Sequence, residues 1–315
     1  MPLPSSTKAD LLLLLVTLLA AISWMFSKEA VMLMPPLLFM GIRFLLASLL
    51  LALFAWRQLR RLDGEQYWRG ARVGVVFGLA MCFWVSGLNV ASNIGEGAFL
   101  ASLAVILVPV IARIVFKERQ PSSTWLALPV AVAGLAMLSL QHGFRLEAGQ
   151  GFFVAAAVIF ALHYTLNTRA ANARLIHSRD GATRELMRIP VMALTTISLA
   201  CAGVVALSAS LLLEPWHATF ESFSPVLACW ILASVLIGTS TRFAVQTWAQ
   251  SLSSSNNGVV ILVLEPVWVA SISAFWFDER MSGSQMAGCA LIFAALLINR
   301  WSTVRRLLTR SRASL

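Results

Sequence analysis

Ten apolar runs of about twenty residues follow one another along the chain, with short polar stretches between them. A bilayer core of about 30 Å needs about 20 helical residues to cross it, because an α-helix rises about 1.5 Å per residue. A helix also satisfies its own backbone hydrogen bonds in lipid. The pattern therefore predicts ten transmembrane helices, over residues 9–27, 34–56, 73–92, 95–116, 122–141, 150–168, 189–213, 224–248, 254–277 and 283–304.

Two of these runs are similar to each other. Residues 95–119 and 256–280 share seven identities in 25 positions, at a constant offset of 161. Both end on a Phe-x-Glu-Arg sequence, at residues 116–119 and 277–280. A chain built from two copies of one membrane unit is typical of transporters, so the repeat favours transport over other membrane functions.

Composition excludes a soluble protein. The chain has 315 residues, of which 59% are apolar and 12% charged, and its mean hydropathy is +0.80. A soluble domain carries about 25% charged residues. The net charge of +10 does not indicate a nucleic-acid partner, because the basic residues flank apolar runs. The four cysteines lie inside apolar runs without a CxxC pair, so we expect no metal, cofactor or disulfide framework.

Basic residues in the connections predict the orientation. With ten crossings both termini share one side, and that side holds 18 of the 24 Lys and Arg residues, against three on the other. The positive-inside rule therefore places both termini in the cytoplasm. Five crossings per half make the second copy enter from the opposite face. We predict an all-α integral membrane protein, with inverted five-helix repeats at 1–145 and 146–304 around a central cavity, and a basic cytoplasmic tail at 305–315.

The N-terminal run has a second interpretation. Lys8 followed by the apolar stretch 11–21 is also compatible with a cleaved signal peptide. We interpret it as the first transmembrane span, because a comparable segment recurs in the second half of the chain.

Several short features lie at a specific spacing along the chain: Trp24 to Lys28, Arg43 to Ala47, Leu264 to Val267, Glu279 and Gly288. Together they resemble the EamA-type transporters of the drug/metabolite transporter superfamily, and the resemblance covers nearly the whole chain. Span 4 departs from the family pattern, because Val105 stands where a proline is expected and Pro109 lies one turn later. Within the superfamily the chain looks most like bacterial amino-acid exporters of the YddG type.

The resemblance implies a transporter and not an enzyme. The expected function is export of amino acids, aromatic and other neutral ones favoured, across the bacterial inner membrane by alternating access. Its partners would be a small-molecule substrate and the lipid bilayer, and the expected functional unit is a monomer. Multidrug or purine-type metabolite efflux is the alternative, since fold-level analogy does not choose a substrate.

A second internal match suggests where a substrate passes. Residues 21–30 align with residues 161–170 at an offset of 140, and each segment carries polar residues one helical turn apart. Polar groups inside a bilayer usually face protein or water, which favours a shared cavity. Hydrogen bonding between helices is the alternative. The residues expected to line the cavity are Ser23, Trp24, Ser27, His163, Tyr164 and Asn167.

Spans 3 and 4 add an aromatic group beside small polar side chains. Such a mixture suits an amino acid with an apolar side chain, although aromatic residues also fill membrane cores without a ligand. The candidates for substrate contact here are Phe83, Ser86, Asn89 and Phe99.

Glu265 is the one carboxylate near the centre of a predicted span. A charge there costs about 2.5–3.5 kcal/mol or more, so the group is neutral or paired. It is either a proton-coupling site or a structural partner for groups beside Pro266, where the helix lacks a hydrogen bond. Arg43, also deep in its span, is one candidate partner, whereas Arg113 and Arg242 lie nearer the cytoplasmic ends and could extend towards the surface.

A remote alternative is an intramembrane serine hydrolase. Residues 238–240 form a Gly-x-Ser sequence in span 8, and His163 could serve as the base. This reaction would need the serine and the imidazole within about 3 Å of each other.

Overall fold

The computed structural model describes most of the chain, and it is predominantly helical. The described residues are 5–90, 94–139, 148–177, 183–216, 224–252, 261–276 and 282–299. Every predicted apolar run contains a helix. The helices are α1 (Ser5–Val31), α2 (Pro36–Leu59), α3 (Gly64–Val90), α4 (Ile94–Ile114), α5 (Ser122–Ser139), α6 (Ala148–Ala171), α7 (Val191–Leu213), α8 (Pro225–Ala233), α9 (Arg242–Ser251), α10 (Glu265–Trp276) and α11 (Gly283–Asn299).

Six helical stretches in the described part are long and apolar enough to cross a membrane: residues 7–31, 36–59, 64–87, 151–171, 191–213 and 225–251. Three shorter apolar helices accompany them. The prediction of a multi-pass helical membrane protein is therefore confirmed, whereas the number of ten crossings stays a prediction.

A short β-hairpin, which the sequence pattern did not predict, lies in the connection between α6 and α7. Strand β1 (Arg174–His177) pairs antiparallel with β2 (Thr183–Leu186), with Arg174 opposite Leu186. The hairpin stands outside the predicted spans, where strand pairing satisfies backbone groups that no helix uses.

Prolines set the start of three helices. Pro35 and Pro190 precede α2 and α7 with nearly identical backbone angles, φ −56° in both and ψ 135° and 138°. Helix α8 begins at Pro225, and the Ser224 hydroxyl caps it by accepting the Leu227 N–H at 3.2 Å. Proline suits these positions because its φ is already helical and its missing N–H is not needed in a first turn.

Two antiparallel helix pairs hold the bundle through glycine contacts. On α2 and α7, a Cβ added to Gly41 would lie 2.5 Å from Leu207 Cγ, and one added to Gly203 would lie 2.8 Å from Leu45 Cγ. On α5 and α11, Gly134 packs against Ile292 in the same way. Glycine allows these close approaches because it has no side chain, which is how helices associate in lipid.

The other helices pack around α1 and α6. Helix α3 lies against α6 and α7, and α4 lies against α6 and α5. Helix α1 contacts α8, α9 and α10. Two apolar clusters form the core: one joins α2, α3, α6, α7 and α8, and the other joins α1, α4, α5, α10 and α11.

A π-helical stretch, Ser234–Thr241, joins α8 to α9 without a break, and we call this continuous element the α8–α9 rod. Inside it the Thr239 hydroxyl donates to the Ser234 carbonyl at 2.9 Å, five residues earlier. At Gly238 a Cβ would collide with the Ser23 side chain on α1. π-helical insertions often mark functional sites, and this one determines which face of α9 points into the bundle.

Candidate functional site

The first polar cluster in the interior is built on Arg43 of α2. Its Nε donates to Thr239 Oγ1 at 2.9 Å, its Nη1 to Ser27 Oγ at 2.8 Å and its Nη2 to Ser23 Oγ at 3.1 Å. Arg43 is 3% exposed, and no carboxylate contacts it within the described residues. Neutral oxygens from α1 and the π-helical stretch therefore satisfy all three of its nitrogens.

Arg43, the candidate partner of Glu265, does not pair with it. Glu265 pairs with Arg242 instead, through an Nη2–Oε2 distance of 3.3 Å. Arg242 is 9% exposed, so it does not extend to the surface either. The reason is relative placement: α9 and the start of α10 both pack on α1, whereas Arg43 faces the π-helical stretch.

Glu265 lies at the first position of α10, directly after a 3₁₀ turn at residues 261–264. Its Oε1 accepts the Trp24 indole N–H at 3.3 Å. Pro266 follows in the first helical turn, where its missing N–H leaves no gap in the hydrogen-bond ladder. Glu265 therefore links α1, α9 and α10 through side chains, and does not serve to repair the backbone beside Pro266.

One face of α9 is polar although it is buried. Gln246 is 1% exposed, and neither Oε1 nor Nε2 of its side chain has a hydrogen-bond partner among the described residues. Gln250 Oε1 accepts the Asn167 amide, while its Nε2 is unpaired within the same set. The Nε of Arg242 is unpaired as well. Unsatisfied buried groups are few in native structures, so this face is chemically unusual.

Comparison with known proteins identifies the molecule that carries this site. The model of the EamA-like transporter family matches the chain twice, at residues 7–140 and 148–301. The chain belongs to the EamA-like transporter family. It is therefore a membrane transporter and not an enzyme.

One known transporter and one solved structure are similar to this EamA-like protein. An uncharacterized transporter of Archaeoglobus fulgidus is 26% identical over 294 residues, which cover 92% of this chain and 85% of that protein. A protein of known crystal structure superposes with a TM-score of 0.72 at 19% identity, covering 96% of this chain and 98% of that one. The second likeness shows the shared fold alone.

The structure brings several predicted residues to these clusters. Ser23 and Ser27 bind Arg43, Trp24 binds Glu265, and Asn167 contacts α9, where its amide also lies 3.5 Å from Thr247 Oγ1. Hydrogen bonding between helices, the alternative for these polar residues, therefore accounts for their contacts in this conformation. Whether they also contact a substrate stays a prediction.

His163 and Tyr164 lie on α6 beside an aromatic cluster. The His163 ring stacks on Phe77 with centroids 4.6 Å apart, and its Nδ1 lies 3.3 Å from the Val73 carbonyl oxygen. Ser240 Oγ has no hydrogen-bond partner in the described part of the chain. The serine–histidine pair that a hydrolase would need is therefore not formed.

The predicted residues of spans 3 and 4 do not join the polar clusters. Phe83 is 37% exposed and contacts the ring of Phe152 at 6.2 Å, and Ser86 is half-buried on α3. The side chains of Asn89 and Phe99 lie outside the described residues. Trp84 does reach the site, because its ring meets Trp24 edge-on at 5.0 Å.

The polar face of α9 was not predicted from the sequence. Arg242, Gln246 and Gln250 recur every fourth residue in span 8, which is the spacing of one helix face. That spacing was a usable signal, but it does not tell whether the face points to lipid, to a surface or into the bundle.

At the end of α4, a charged contact holds this helix to α6. Glu118 pairs with Arg169 at 2.5 Å, and the Arg169 guanidinium lies 4.2 Å from the centre of the Phe116 ring. Lys117 adopts a positive φ of 55°, a left-handed conformation that ends helices. The first Phe-x-Glu-Arg ending therefore anchors α4, while the second lies outside the described residues.

Proposed function

We propose that this EamA-like transporter exports neutral amino acids, aromatic ones among them, across the bacterial inner membrane by alternating access. The observation that carries the proposal is the Arg242–Glu265 pair, in which Arg242 is buried and Glu265 is half-buried. An amino acid carries a carboxylate and an ammonium group, which are the two charges that this pair can bind. Each residue would exchange its partner for one end of the substrate.

Charge balance favours a zwitterion over other cargo. A lone charge in the membrane interior costs about 2.5–3.5 kcal/mol or more, so Arg242 and Glu265 are paired with each other. A zwitterion separates Arg242 from Glu265 and still leaves each charge compensated. A cationic drug would leave Arg242 without a counter-charge, and an uncharged nucleobase would compensate neither residue.

The side chain of the substrate would lie against aromatic rings. Trp24 bonds to Glu265 and meets Trp84 edge-on, so two indole rings stand next to the charged pair. Tyr164 packs against both apolar clusters of the interior. Aromatic rings supply large apolar contact area, which suits an aromatic or aliphatic side chain.

The packing of the helices supports the proposed inverted repeats. If α1 to α5 correspond to α6, α7, the α8–α9 rod, α10 and α11, several of the main contacts have counterparts. The contact of α3 with α6 corresponds to that of the α8–α9 rod with α1, and the contact of α4 with α6 corresponds to that of α10 with α1. In the pairs α2–α7 and α5–α11, each helix packs against its own counterpart in the other repeat. The helices of both pairs run antiparallel.

The two family matches, residues 7–140 and 148–301, are also consistent with repeats at 1–145 and 146–304. We propose ten crossings, a central cavity between the repeats and cytoplasmic termini with the tail at 305–315. A monomer is the proposed functional unit, since the glycine contacts of α2, α3, α5 and α7 are made within one chain.

Counterflow in proteoliposomes tests the proposed substrate class. Vesicles containing the purified protein and unlabelled L-phenylalanine, L-methionine or L-threonine should accumulate the labelled amino acid, whereas protein-free vesicles should not. If none of the three exchanges, and a purine or a cationic dye does, the protein is a metabolite or drug exporter instead.

A further inference from the structure

The three polar residues of α9 form a continuous face. Arg242, Gln246 and Gln250 are four residues apart, so each is about 6 Å further along the helix, and the face is about 12 Å long. We call these three residues the α9 polar face. By the predicted orientation it runs from the ion pair with Glu265 towards the cytoplasm.

The unpaired atoms on the α9 polar face are mainly hydrogen-bond donors. Each residue contributes one nitrogen without a partner in the described chain: Arg242 Nε, Gln246 Nε2 and Gln250 Nε2. Gln246 Oε1 is the one unpaired acceptor of these three residues. Gln250 Oε1 already accepts the Asn167 amide, so the unpaired group of Gln250 is its Nε2 donor.

A buried polar face without partners lowers the stability of the folded protein unless a ligand binds to it. A buried amide without a partner costs about 1–3 kcal/mol, and an apolar side chain of similar size would avoid the cost. Arg43 shows that this interior can give every nitrogen of a guanidinium a hydroxyl partner. The donors of the α9 polar face are unpaired beside it, which indicates a ligand that accepts hydrogen bonds.

We propose that the α9 polar face binds the carboxylate of the substrate and passes it along the helix. Arg242 and Gln246 hold the carboxylate while Glu265 receives the ammonium group, and Gln250 binds the carboxylate one turn nearer the cytoplasm. The proposal rests on the proposed function, because it assigns the head group of an amino acid to named atoms. It also makes Gln246 a residue that discriminates carboxylates from other groups.

Three ligands test the roles of the carboxylate and the ammonium group separately. L-phenylalanine has both charges, L-phenylalaninamide lacks the carboxylate, and 3-phenylpropionate lacks the ammonium group. Binding of labelled L-phenylalanine to the purified protein, with the other two compounds as competitors, should rank L-phenylalanine at least 10-fold above each competitor.

Substitution of Gln246 provides the decisive comparison. Gln246→Leu should weaken L-phenylalanine binding about 10-fold, because a hydrogen bond to a charged group is lost, and should leave L-phenylalaninamide unchanged. Gln246→Glu should weaken L-phenylalanine more strongly and improve L-phenylalaninamide. The matched control is Gln58→Leu at the end of α2, away from the α9 polar face, which should change neither.

Substitution of Gln250 tests whether the carboxylate passes along the α9 polar face. Gln250→Leu should slow counterflow of L-phenylalanine several-fold, and by a larger factor than it weakens equilibrium binding; an equal loss of both would contradict this passage. Gel filtration and thermal unfolding check that each variant is folded, and Gln246→Leu should fold well because it removes an unpaired amide.

The outcomes separate the two proposals. If the wild-type protein neither binds nor exchanges any amino acid, the proposed function fails, and this inference with it. If the wild-type protein binds L-phenylalanine, but folded Gln246→Leu weakens L-phenylalanine and L-phenylalaninamide equally, the inference alone is overturned. Wild-type affinity of Gln246→Glu for L-phenylalanine would overturn it too.

Discussion

Two arginines lie in the interior of this bundle, and their surroundings differ. Arg43 gives all three nitrogens to neutral oxygens on neighbouring elements. Arg242 gives one nitrogen to Glu265 at 3.3 Å, while its Nε has no partner in the described chain. Both side chains are buried, so burial does not distinguish them. Burial of a charged side chain does not by itself indicate a binding site. A buried charge whose hydrogen-bond donors lack partners does.

The two arginines also differ in whether a substrate could replace their partners. The bonds of Arg43 join α2, α1 and the π-helical stretch, and a substrate could reach its donors only by breaking that junction. The bond of Arg242 joins two charged residues, and a zwitterion can replace each of them. We therefore assign Arg43 to the folding of the interior and Arg242 to the handling of substrate.

Removal of Arg43 should have the largest effect. Arg43→Ala should lower the free energy of unfolding by about 3 kcal/mol or more, because it leaves a cavity and removes three hydrogen bonds between helices. Thermal unfolding of the purified protein measures this loss. Arg43→Met, which fills most of the volume, should lose less. If Arg43→Ala unfolds like the wild type but does not transport, the assignment of the two arginines is reversed.

Removal of Arg242 should mainly affect transport. Arg242→Met should reduce amino-acid counterflow about 100-fold, because the carboxylate loses a charged hydrogen-bond donor. Its unfolding temperature should fall less than that of Arg43→Ala. Combining Arg242→Met with Glu265→Gln removes both charges, and should restore stability without restoring counterflow. Recovery of counterflow in the double variant would contradict the role of Arg242.

Gly238 tests how closely the π-helical stretch must approach α1. Gly238→Ala should destabilise the protein by about 1–3 kcal/mol, because the added methyl group collides with Ser23 beside Arg43. Gly283→Ala is the matched control, since a Cβ there meets nothing within 4 Å. Thermal unfolding of both variants should show a loss at Gly238 alone, and equal stability would mean that the contact with Ser23 is loose.

Glu265 should give the smallest effect of the four. Glu265→Gln keeps the shape and the bond from Trp24 but loses the charge for the ammonium group, so counterflow should fall about 10-fold. Uptake with and without an imposed pH gradient then decides its second candidate role. A proton-coupling role requires a gradient to accelerate the wild type and not the variant. If wild-type uptake ignores the gradient and Glu265→Gln stays active, that role is excluded.

The sequence predicted the helical membrane fold and the family, because apolar length and short motifs are local properties. It also identified buried polar residues such as Asn167 and Ser23. Their partners were not predictable, since a pairing such as Arg242 with Glu265 depends on how two helices are placed on a third. The α9 polar face was missed for the same reason, because spacing alone does not tell which face of a helix is covered.

The π-helical stretch has a consequence for the evolution of specificity. An inserted residue turns everything after it by about 100° around the helix axis relative to everything before it. Loss of one residue between 234 and 241 would swing Arg242, Gln246 and Gln250 away from Glu265 while leaving their mutual spacing intact. Relatives that differ in length here should therefore differ in cargo, even where all three polar residues are retained.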